Sequence, residues 1–463
     1  MGVISELRTL LRLDGFRRLF TVRLVSQGAD GMFQVGLASA WFFSPDAAGS
    51  AASVAGRYAL MLAPFTIVGP FAGVLLDRWR RRQVLLFGNL ARAALTVGMA
   101  VVLLVSSPDH WGVLVLGLAA LSVNRFLLAG LSAGLPNVVD GPLLLTANSI
   151  VPTLGAGAAF LGGGVGFVLA WLLPAGPAAD ASALVCAAVV MILGAILALR
   201  LSPDQLGPVH PRRGSVRDDV AAVARDLAAG ARYLVARGTP GQALLVMAAH
   251  RFLYGVVFIS SILIARNLLS TPGEPGGGLG TFAVILGMTA AGGAVAVVAT
   301  PTLSRYTGPQ VWIALMLLLA AASQVLLCTT PSRAVVLTGA ALLGLAAQAA
   351  KIAVDTIVQR DTHDSFRGRA FALYDVLYNA AFVGAAALAA TAVPDSGWSR
   401  GLFATLAVAY VVVAVLFWTR AARTPTPVDL SQFAAPGVEL AGDESGAELG
   451  STRPEGIPQP DQA

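Results

Sequence analysis

The segment from Gly73 to Arg82 reads Gly73-Val-Leu-Leu-Asp77-Arg78-Trp-Arg80-Arg81-Arg82 and lies between two long apolar stretches. Basic residues in short loops stay on the cytoplasmic side of a membrane. If the flanking stretches cross a bilayer, this loop faces the cytoplasm, because it carries four arginines within five residues. The orientation of the neighbouring stretches follows from that placement.

The composition of the whole chain agrees with a bilayer as its solvent. Its 463 residues are 56% hydrophobic and 12% charged, with a mean hydropathy of +0.75, which excludes a soluble protein with an ordinary polar surface. A helical span needs roughly 20 apolar residues to cross about 30 Å of hydrocarbon. The sequence predicts twelve such spans, at about Arg18–Phe43, Ala51–Leu76, Gln83–Ser106, Trp111–Val139, Asn148–Leu173, Ala178–Leu199, Gly241–Leu268, Leu279–Ser304, Pro309–Thr329, Ala334–Val358, Gly368–Val393 and Ser399–Arg420.

The arginines are divided unequally between the two sides of these spans. One alternate set of connections holds Arg8, Arg12, Arg17, Arg18, the Arg78 to Arg82 loop, the arginines from Arg200 to Arg237, Arg305, Arg360, Arg367, Arg369, Arg420 and Arg423. The opposite set holds Arg266, Arg333 and Arg400. We therefore expect a multi-pass protein of the cell membrane with both termini cytoplasmic, which requires an even number of spans. The net charge of +6 then needs no nucleic-acid partner, since anionic membrane lipids supply the counter-charge.

Changes in composition divide the chain into four regions. Residues 1–200 and 241–422 each hold six spans and are predicted to form an N-terminal and a C-terminal six-helix bundle. Residues 201–240 form a cytoplasmic linker, whose second part spaces apolar residues as an amphipathic surface helix does, although a plain linker is equally compatible. Residues 423–463 are rich in proline and acidic residues and are predicted to be a disordered cytoplasmic tail.

Residues suited to catalysis or metal binding are sparse. The chain has two cysteines and four histidines, and their spacing matches no metal site. It also has no nucleophile triad, Walker loop or dinucleotide fingerprint. We therefore expect no enzyme activity, no cofactor and no nucleotide-driven pump.

The loop motif resembles that of the major facilitator superfamily, in which a glycine, three residues, an aspartate and several basic residues lie between spans two and three. Gly73, Asp77, Arg78, Arg81 and Arg82 occupy those places. The resemblance covers about residues 18–420, and the strings 23–31, 136–148 and 367–370 are similar to the branch that includes siderophore and macrolide exporters. It implies an all-α membrane protein with twelve transmembrane helices in two pseudo-symmetric six-helix bundles, with the substrate site between the bundles near mid-membrane.

For the loop itself, the resemblance implies a latch that holds one conformation of the cytoplasmic gate. A glycine at position 73 would let neighbouring helices approach, and the carboxylate of Asp77 would accept from backbone amides or pair with an arginine. The alternative is that the arginines only anchor the loop to lipid phosphates.

Ionisable groups inside the spans are costly and are functional by default. Asp30 lies in the first span, Arg125 in the fourth, His250 and Arg251 in the seventh, and Lys351 with Asp355 in the tenth. The resemblance implies that these four helices line the central cavity. We predict that the cavity and substrate residues are Gln27, Gln34, His250, Arg251, Tyr254, Lys351 and Asp355, although Lys351 and Asp355 also fit a local ion pair.

Asp30 and Arg125 are the predicted proton-coupling residues. Asp30 lies about a dozen residues into its helix, or about 18 Å at 1.5 Å per residue, which is close to the midplane. Burial disfavours a charged carboxylate and a nearby cation favours it, so a gate that moves Arg125 or Arg251 relative to Asp30 would load and release a proton. The alternative is a static ion pair that holds helices together.

These observations favour a monomeric secondary active transporter that couples protons to the export of a small amphiphilic compound, such as a drug, siderophore or secondary metabolite. An importer or lipid transporter of the same fold is the alternative within transport, and a non-transporting membrane sensor is the alternative outside it. The embedded charges argue against the sensor, since a scaffold without a substrate path has little reason to keep them in hydrocarbon.

Overall fold

The computed structural model describes residues 3–44, 49–67, 71–76, 78–139, 143–173, 177–208, 215–270 and 277–421. All regular secondary structure in these ranges is helical, so the expected all-α architecture is confirmed. The predicted tail at residues 423–463 lies outside the described residues. The helices are α1 (Val3–Arg12), α2 (Asp14–Ala38), α3 (Ala51–Ile67), α4 (Ala72–Leu76), α5 (Arg81–Val105), α6 (Trp111–Ala133), α7 (Leu143–Trp171), α8 (Pro177–Ala198), α9 (Val216–Arg237), α10 (Thr239–Leu263), α11 (Gly277–Thr307), α12 (Pro309–Thr329), α13 (Arg333–Asp361), α14 (Asp364–Ala392) and α15 (Arg400–Ala421).

Local sequence sets several helix ends. α6 begins after His110, whose ring Nδ1 accepts a hydrogen bond from the backbone N–H of Gly112 at 3.1 Å. α10 and α12 each have a proline in the first turn, where the missing N–H is not needed. The residues before them, Gly238 and Gly308, have φ of 84° and 80°. This left-handed backbone suits glycine and reverses the chain between consecutive helices.

Ten helices in the described part of the chain are long and apolar enough to cross a membrane, namely α5 to α8 and α10 to α15. The first two predicted spans correspond to α2, with the π-helical turn Ser39–Phe43 that continues it, and to α3. α2 falls short in apolarity because Arg23, Gln27, Asp30 and Gln34 interrupt it. α3 falls short in length, with 17 residues. The total of twelve spans therefore stays a prediction. The polar residues that lower the hydropathy of α2 include the predicted functional residues Gln27, Asp30 and Gln34.

Helices pack mostly with neighbours from their own half of the chain. α2 packs against α7 and α8, and α5 packs against α6 and α8. In the second half α12 packs against α13 and α15, while α10 packs against α13 and α14. The pairing of α3 with α14 crosses between the halves. α3 also contacts α10, so this face of α3 borders two helices of the second half.

Glycines bring α2 and α7 into backbone contact. A Cβ added to Gly31 would lie 1.9 Å from the carbonyl oxygen of Ala159, and one added to Gly162 would lie 1.9 Å from the carbonyl oxygen of Gly28. Only glycine fits at such distances, as at other close helix crossings in membrane proteins. The contact fixes the rotation of α2 and with it the direction of Asp30.

The second part of the linker is helical, as the spacing of its apolar residues indicated. α9 covers Val216–Arg237 and is attached to α14. The Tyr233 ring stacks on Phe366 with 4.1 Å between centroids, and Arg369 pairs with Asp226 at 3.2 Å. α9 is therefore anchored to the second half of the chain by both apolar and charged contacts, and its position at the membrane surface stays a prediction.

Candidate functional site

A buried ion pair connects three helices of the first half. Asp30 on α2 is 5% exposed, and its Oδ1 accepts from Arg92 of α5 at 2.8 Å and from Asn124 of α6 at 2.9 Å. Its Oδ2 accepts from the amide nitrogen of Gln34, one turn further along α2, at 3.0 Å. We call these four residues the Asp30 cluster. A carboxylate held in this way has every acceptor oxygen occupied by a donor from the protein.

The partner of Asp30 differs from the one expected. We predicted that Arg125 or Arg251 would approach Asp30, whereas the structure places Arg92 there. Arg92 is fully buried, and its Nε and Nη1 have no hydrogen-bond partner among the described residues. Sequence reasoning gave it no role, although an arginine in the middle of an apolar span is itself a signal of function. Which arginine on another helix reaches a carboxylate depends on helix rotation, which one sequence does not encode in any local pattern.

Arg125 is directed toward the second half of the chain. Its Nη2 lies 3.7 Å from an oxygen of Asp375 on α14, and the two side chains are 27% and 66% exposed. The pair therefore joins α6 to α14 across the boundary between the halves. Both groups are accessible enough to exchange partners with an incoming ligand.

Arg251 lies against three aromatic rings. The carbon of its guanidinium group is 3.9 Å from the ring centre of Tyr378, 4.2 Å from that of Phe382 and 4.9 Å from that of Tyr254. Stacking of this kind stabilises a cation by about 0.5–2 kcal/mol per site. We call these four residues the Arg251 cluster, which is formed by α10 and α14.

The predicted pair on α13 borders the same region. Lys351 pairs with Asp355 at 2.6 Å, and the two side chains are 37% and 26% exposed. The Lys351 nitrogen is 5.7 Å from the ring centre of Tyr374, which in turn is 5.8 Å from that of Tyr378. The structure thus joins Arg251, Tyr254, Lys351 and Asp355 through Tyr374 and Tyr378. Tyr374 and Tyr378 belong to no recognisable sequence motif.

Two of the predicted cavity residues serve other contacts. His250 is 1% exposed, and its ring centre lies 5.6 Å from that of Tyr410 on α15, so it does not line an open surface in this conformation. Successive residues on a helix point about 100° apart, so His250 and Arg251 face different neighbours. Gln27 accepts from Arg23 at 3.0 Å and lies against Gly155 of α7. Its side chain therefore orients Arg23, and its predicted role in the cavity stays a prediction.

The arginines of the loop motif bind protein groups. Arg78 pairs with Asp219 of α9, and Arg81 donates to the carbonyl oxygens of Ala133 at 2.9 Å and Leu206 at 3.0 Å. Arg82 donates to the carbonyl oxygen of Leu199 at 3.3 Å. These contacts are more specific than anchoring to lipid phosphates. They connect the loop to the ends of α6 and α8 and to the linker helix.

The other two motif positions contribute differently. Asp77 lies outside the described residues. Gly73 is exposed, and among the described residues no atom outside its own helix lies within 4 Å of the position that a Cβ would take. The close helix approach expected at this glycine is not seen at its Cβ position in this conformation, and its role in gating stays a prediction.

At the opposite end of the helices, the two halves are joined by hydrogen bonds. Arg266, in the π-helical turn Ile264–Leu268 after α10, donates to the carbonyl oxygens of Phe42 at 2.9 Å and Ser44 at 3.1 Å. The backbone N–H of Ala51, at the start of α3, donates to the carboxylate of Asp395 at 2.7 Å. By the predicted topology this is the outer end. The contacts close it in this conformation.

An aromatic contact extends this closure toward the Arg251 cluster. The ring centre of Tyr58 on α3 is 5.1 Å from that of Phe258 on α10 and 5.7 Å from that of Phe382 on α14. Phe382 is a member of the Arg251 cluster. The cluster therefore lies directly beside the packed interface between the two halves.

Proteins similar to this chain along most of its length are described as transporters. No family model matches the chain. A protein described as an uncharacterised MFS-type transporter from Mycobacterium tuberculosis is 34% identical over 421 residues, which cover 91% of this chain and 94% of that protein. The counterpart from Mycobacterium bovis matches to the same extent.

Solved structures share the fold at much lower identity. A POT family transporter in complex with a thioalcohol-conjugated peptide has a TM-score of 0.63 at 11% identity and covers 88% of this chain and 96% of its own. The nucleoside transporter NupG has a TM-score of 0.60 at 12% identity, with 87% and 98% covered. These likenesses show the fold alone, whereas identity of 34% along nine-tenths of the chain shows the family. The chain therefore belongs to the major facilitator superfamily and is a multi-pass membrane transporter, not an enzyme.

Proposed function

We propose that this transporter exports a small amphiphilic organic compound from the cell in exchange for protons. In this proposal both termini are cytoplasmic, and the bundles at residues 1–200 and 241–422 rock about a site between them. The linker at residues 201–240 connects the bundles on the inner side, and the monomer is the transporting unit. The Asp30 cluster is the single observation that carries the proposal.

Asp30 has the properties that a proton-coupling group needs. A buried carboxylate is costly when charged, and Arg92 with Asn124 offsets that cost in the present conformation. These donors belong to α5 and α6 of the same bundle, so a shift of those helices against α2 that accompanies the rocking would remove them and favour the protonated acid. Gln34 is exposed and contacts the second carboxylate oxygen, which supports a short route between Asp30 and water.

Arg125 would connect this event to the substrate. It neighbours Asn124 of the Asp30 cluster in sequence, and its side chain reaches Asp375 in the other half. Rocking of the halves must stretch or break this contact. Arg125 would then be free to meet the substrate, while Asn124 changes its distance to Asp30, so that one helix links proton binding to substrate binding.

The loop motif would hold the inner gate. Arg78 joins the loop to α9 through Asp219, and α9 is anchored to α14 through Tyr233 and Phe366. The loop of the first half is therefore connected to the second half through the linker helix. A latch at this position would favour one conformation of the transporter over the other.

An amphiphilic substrate is supported by the side chains near the interface. Lys351, Asp355 and Arg125 offer charge, while Tyr374 and Tyr378 offer flat apolar surface with a polar edge. Pockets for organic ligands combine apolar walls with a few placed polar groups.

The direct test measures proton-driven export. Inside-out vesicles or proteoliposomes are given an imposed pH gradient, and the movement of a fluorescent amphiphile is followed with and without a protonophore. We expect Asp30→Asn to remove the dependence on the gradient. The matched control is Asp180→Asn on α8, which replaces another buried carboxylate that accepts from Ser39 and should retain the dependence.

The single substitution leaves Arg92 buried without an anion, which destabilises proteins by about 3–5 kcal/mol. The double variant Asp30→Asn with Arg92→Gln removes that cost and keeps the test interpretable. Gradient-dependent export that persists in the double variant would remove Asp30 from the mechanism. Uptake in place of export under the same gradient would reverse the proposed direction.

A further inference from the structure

Arg251 differs from the other intramembrane cations of the described residues in having no acceptor. A guanidinium group offers five N–H donors. Arg92 donates to Asp30, Arg266 donates to backbone carbonyls, and Arg23 donates to Gln27. None of the Arg251 donors meets a hydrogen-bond acceptor in the described part of the chain, and its Nε is buried.

Buried donors without acceptors are rare and require an explanation. An intramembrane cation is costly unless it is paired with an anion, a carbonyl or a ligand. The three rings around Arg251 stabilise its charge but accept no conventional hydrogen bond along the guanidinium edge. The donors therefore remain available to a molecule from outside the protein.

The charges around Arg251 indicate the charge of that molecule. Lys351 is paired with Asp355 at 2.6 Å, and Arg125 contacts Asp375 at 3.7 Å. Tyr374 and Tyr378 lie within electrostatic range of Arg251 and of both carboxylates. Each of the two ion pairs balances its own charge, so the region retains one positive charge, that of Arg251.

The shape of the cluster points to the rest of the molecule. A stacked guanidinium keeps its N–H groups in its own plane, where they fit the two oxygens of a carboxylate in a bidentate geometry. Tyr254 and Tyr378 are partly exposed and border the same group. A ligand that docks an acid on the guanidinium edge would therefore place a flat apolar portion against these rings.

We propose that the transported compound is a monovalent organic anion with a planar apolar portion, and that Arg251 is its anion-binding residue. This inference rests on the proposed function, because it names the substrate class for the same transport path. Tyr254 and Tyr378 contact the apolar portion. The competing explanation is that Arg251 only braces α10 against α14 through its aromatic contacts.

The test measures binding to the purified, detergent-solubilised protein by isothermal titration and by ligand-induced thermal shift. The probes are matched sets that share one fused aromatic ring system and differ only in a carboxylate, a primary amide or an ammonium group, with ring systems of two to four rings. We expect the carboxylates to bind at least tenfold more tightly than their amides, and the ammonium compounds to bind least. Arg251→Gln should abolish the preference for the carboxylate.

Two further variants separate recognition from bracing. Arg251→Lys keeps the charge without the planar fork and should weaken carboxylate binding by about five- to tenfold while retaining its order of preference. The matched control is Arg305→Gln on α11, which also removes an arginine stacked on a tyrosine, Tyr306, but at an exposed helix end. It should leave binding unchanged.

The proposal is overturned if no carboxylate binds better than its amide, or if the preference survives in Arg251→Gln. The comparison of ligands on the unmodified protein needs no variant to fold. Proton-driven export of neutral or cationic compounds, lost in the Asp30 variants, would leave the proposed function standing and remove this inference. Carboxylate binding through Arg251 without proton-driven export would support this inference and remove the proposed function.

Discussion

The two halves of the molecule place an intramembrane arginine in opposite environments. In the first half Arg92 is fully buried and donates to Asp30 at 2.8 Å, with Asn124 donating to the same carboxylate. In the second half Arg251 is half-buried, is stacked on aromatic rings and meets no acceptor in the described part of the chain. The comparison separates two uses of charge in a membrane. A cation neutralised within the fold holds helices in register, and one left without an anion can receive a ligand.

In the proposed mechanism the two halves have different tasks. The Asp30 cluster changes its charge state only when helices move, because every partner belongs to the protein. The Arg251 cluster would gain an acceptor for its guanidinium group when a ligand binds. A transporter that couples protons to a substrate needs both kinds of group, and the contact of Arg125 with Asp375 lies between them.

The largest expected effect is on the free energy of unfolding when Arg92, the arginine paired with Asp30, is replaced. Arg92→Leu leaves Asp30 buried with only amide donors and should destabilise the protein by about 3–5 kcal/mol. Arg251→Leu loses cation–π contacts but also removes a buried donor, Nε, that has no acceptor, so we expect a change within about 1 kcal/mol. Denaturant unfolding in mixed micelles measures both.

The control for this pair is the double variant Asp30→Leu with Arg92→Leu. Replacement of a buried ion pair by apolar residues is often neutral, so the double variant should lie within about 1 kcal/mol of the unmodified protein. If Arg92→Leu is as mild as Arg251→Leu, the two arginines are equivalent and the comparison fails.

The second effect tests how the position of Asp30 is set. Gly31→Ala would place a methyl group 1.9 Å from the carbonyl oxygen of Ala159 and must push α2 away from α7. Overpacking of this kind costs about 1–3 kcal/mol. We expect proton coupling to weaken while carboxylate binding at Arg251 is retained, measured by the two assays described above. The control is Gly164→Ala on α7, where an added Cβ meets open space, so we expect no change in proton coupling. Unaltered coupling in Gly31→Ala would show that the contact between α2 and α7 does not orient the carboxylate.

The third effect tests the closed end beside the Arg251 cluster, which is the outer end in the proposed topology. Arg266→Gln removes a charged donor from two backbone carbonyls of the first half. A loss of about 1.5 kcal/mol, the lower end for hydrogen bonds to charged groups, would shift the equilibrium toward the outward-open state about tenfold. The shift is reported by the accessibility to a membrane-impermeant reagent of a cysteine introduced at Ala55, which is fully buried on α3 one turn before Tyr58. Unchanged accessibility would mean that the aromatic contacts around Tyr58 close this end without Arg266.

The amphipathic linker helix and the apolar spans were predictable because they depend on local patterns. The predicted span Pro309–Thr329 coincides with α12, since a proline begins it and the apolar run sets its length. α9 follows from the spacing of its apolar residues. Periodicity and helix-starting residues act within one helix, so one sequence is enough to recognise them.

The candidate site was only partly predictable, because its contacts join helices far apart in the chain. Embedded charge singled out Asp30, Arg251 and Lys351, and the structure places Asp30 and Lys351 in ion pairs and Arg251 against aromatic rings. The choice of Arg92 as the partner of Asp30 depends on how α5 is rotated against α2, and no local signal encodes that rotation. The inward burial of His250 follows from packing against α15 in the same way.

The smallest effect tests an ion pair outside the spans and sets the lower limit of the comparison. Arg78 and Asp219 join the loop to α9, and their side chains are 15% and 23% exposed. A double-mutant cycle with Arg78→Gln and Asp219→Asn should give a coupling energy of about 0.2–1 kcal/mol, because water screens such pairs and ordering them costs entropy. The coupling should fall at high salt, whereas that of Asp30 with Arg92 should not, since buried pairs are screened much less. A coupling energy near that of the buried pair would instead show that the contact between Arg78 and Asp219 is shielded from solvent. The contacts at the inner end would then stabilise one conformation of the transporter as strongly as those at the outer end.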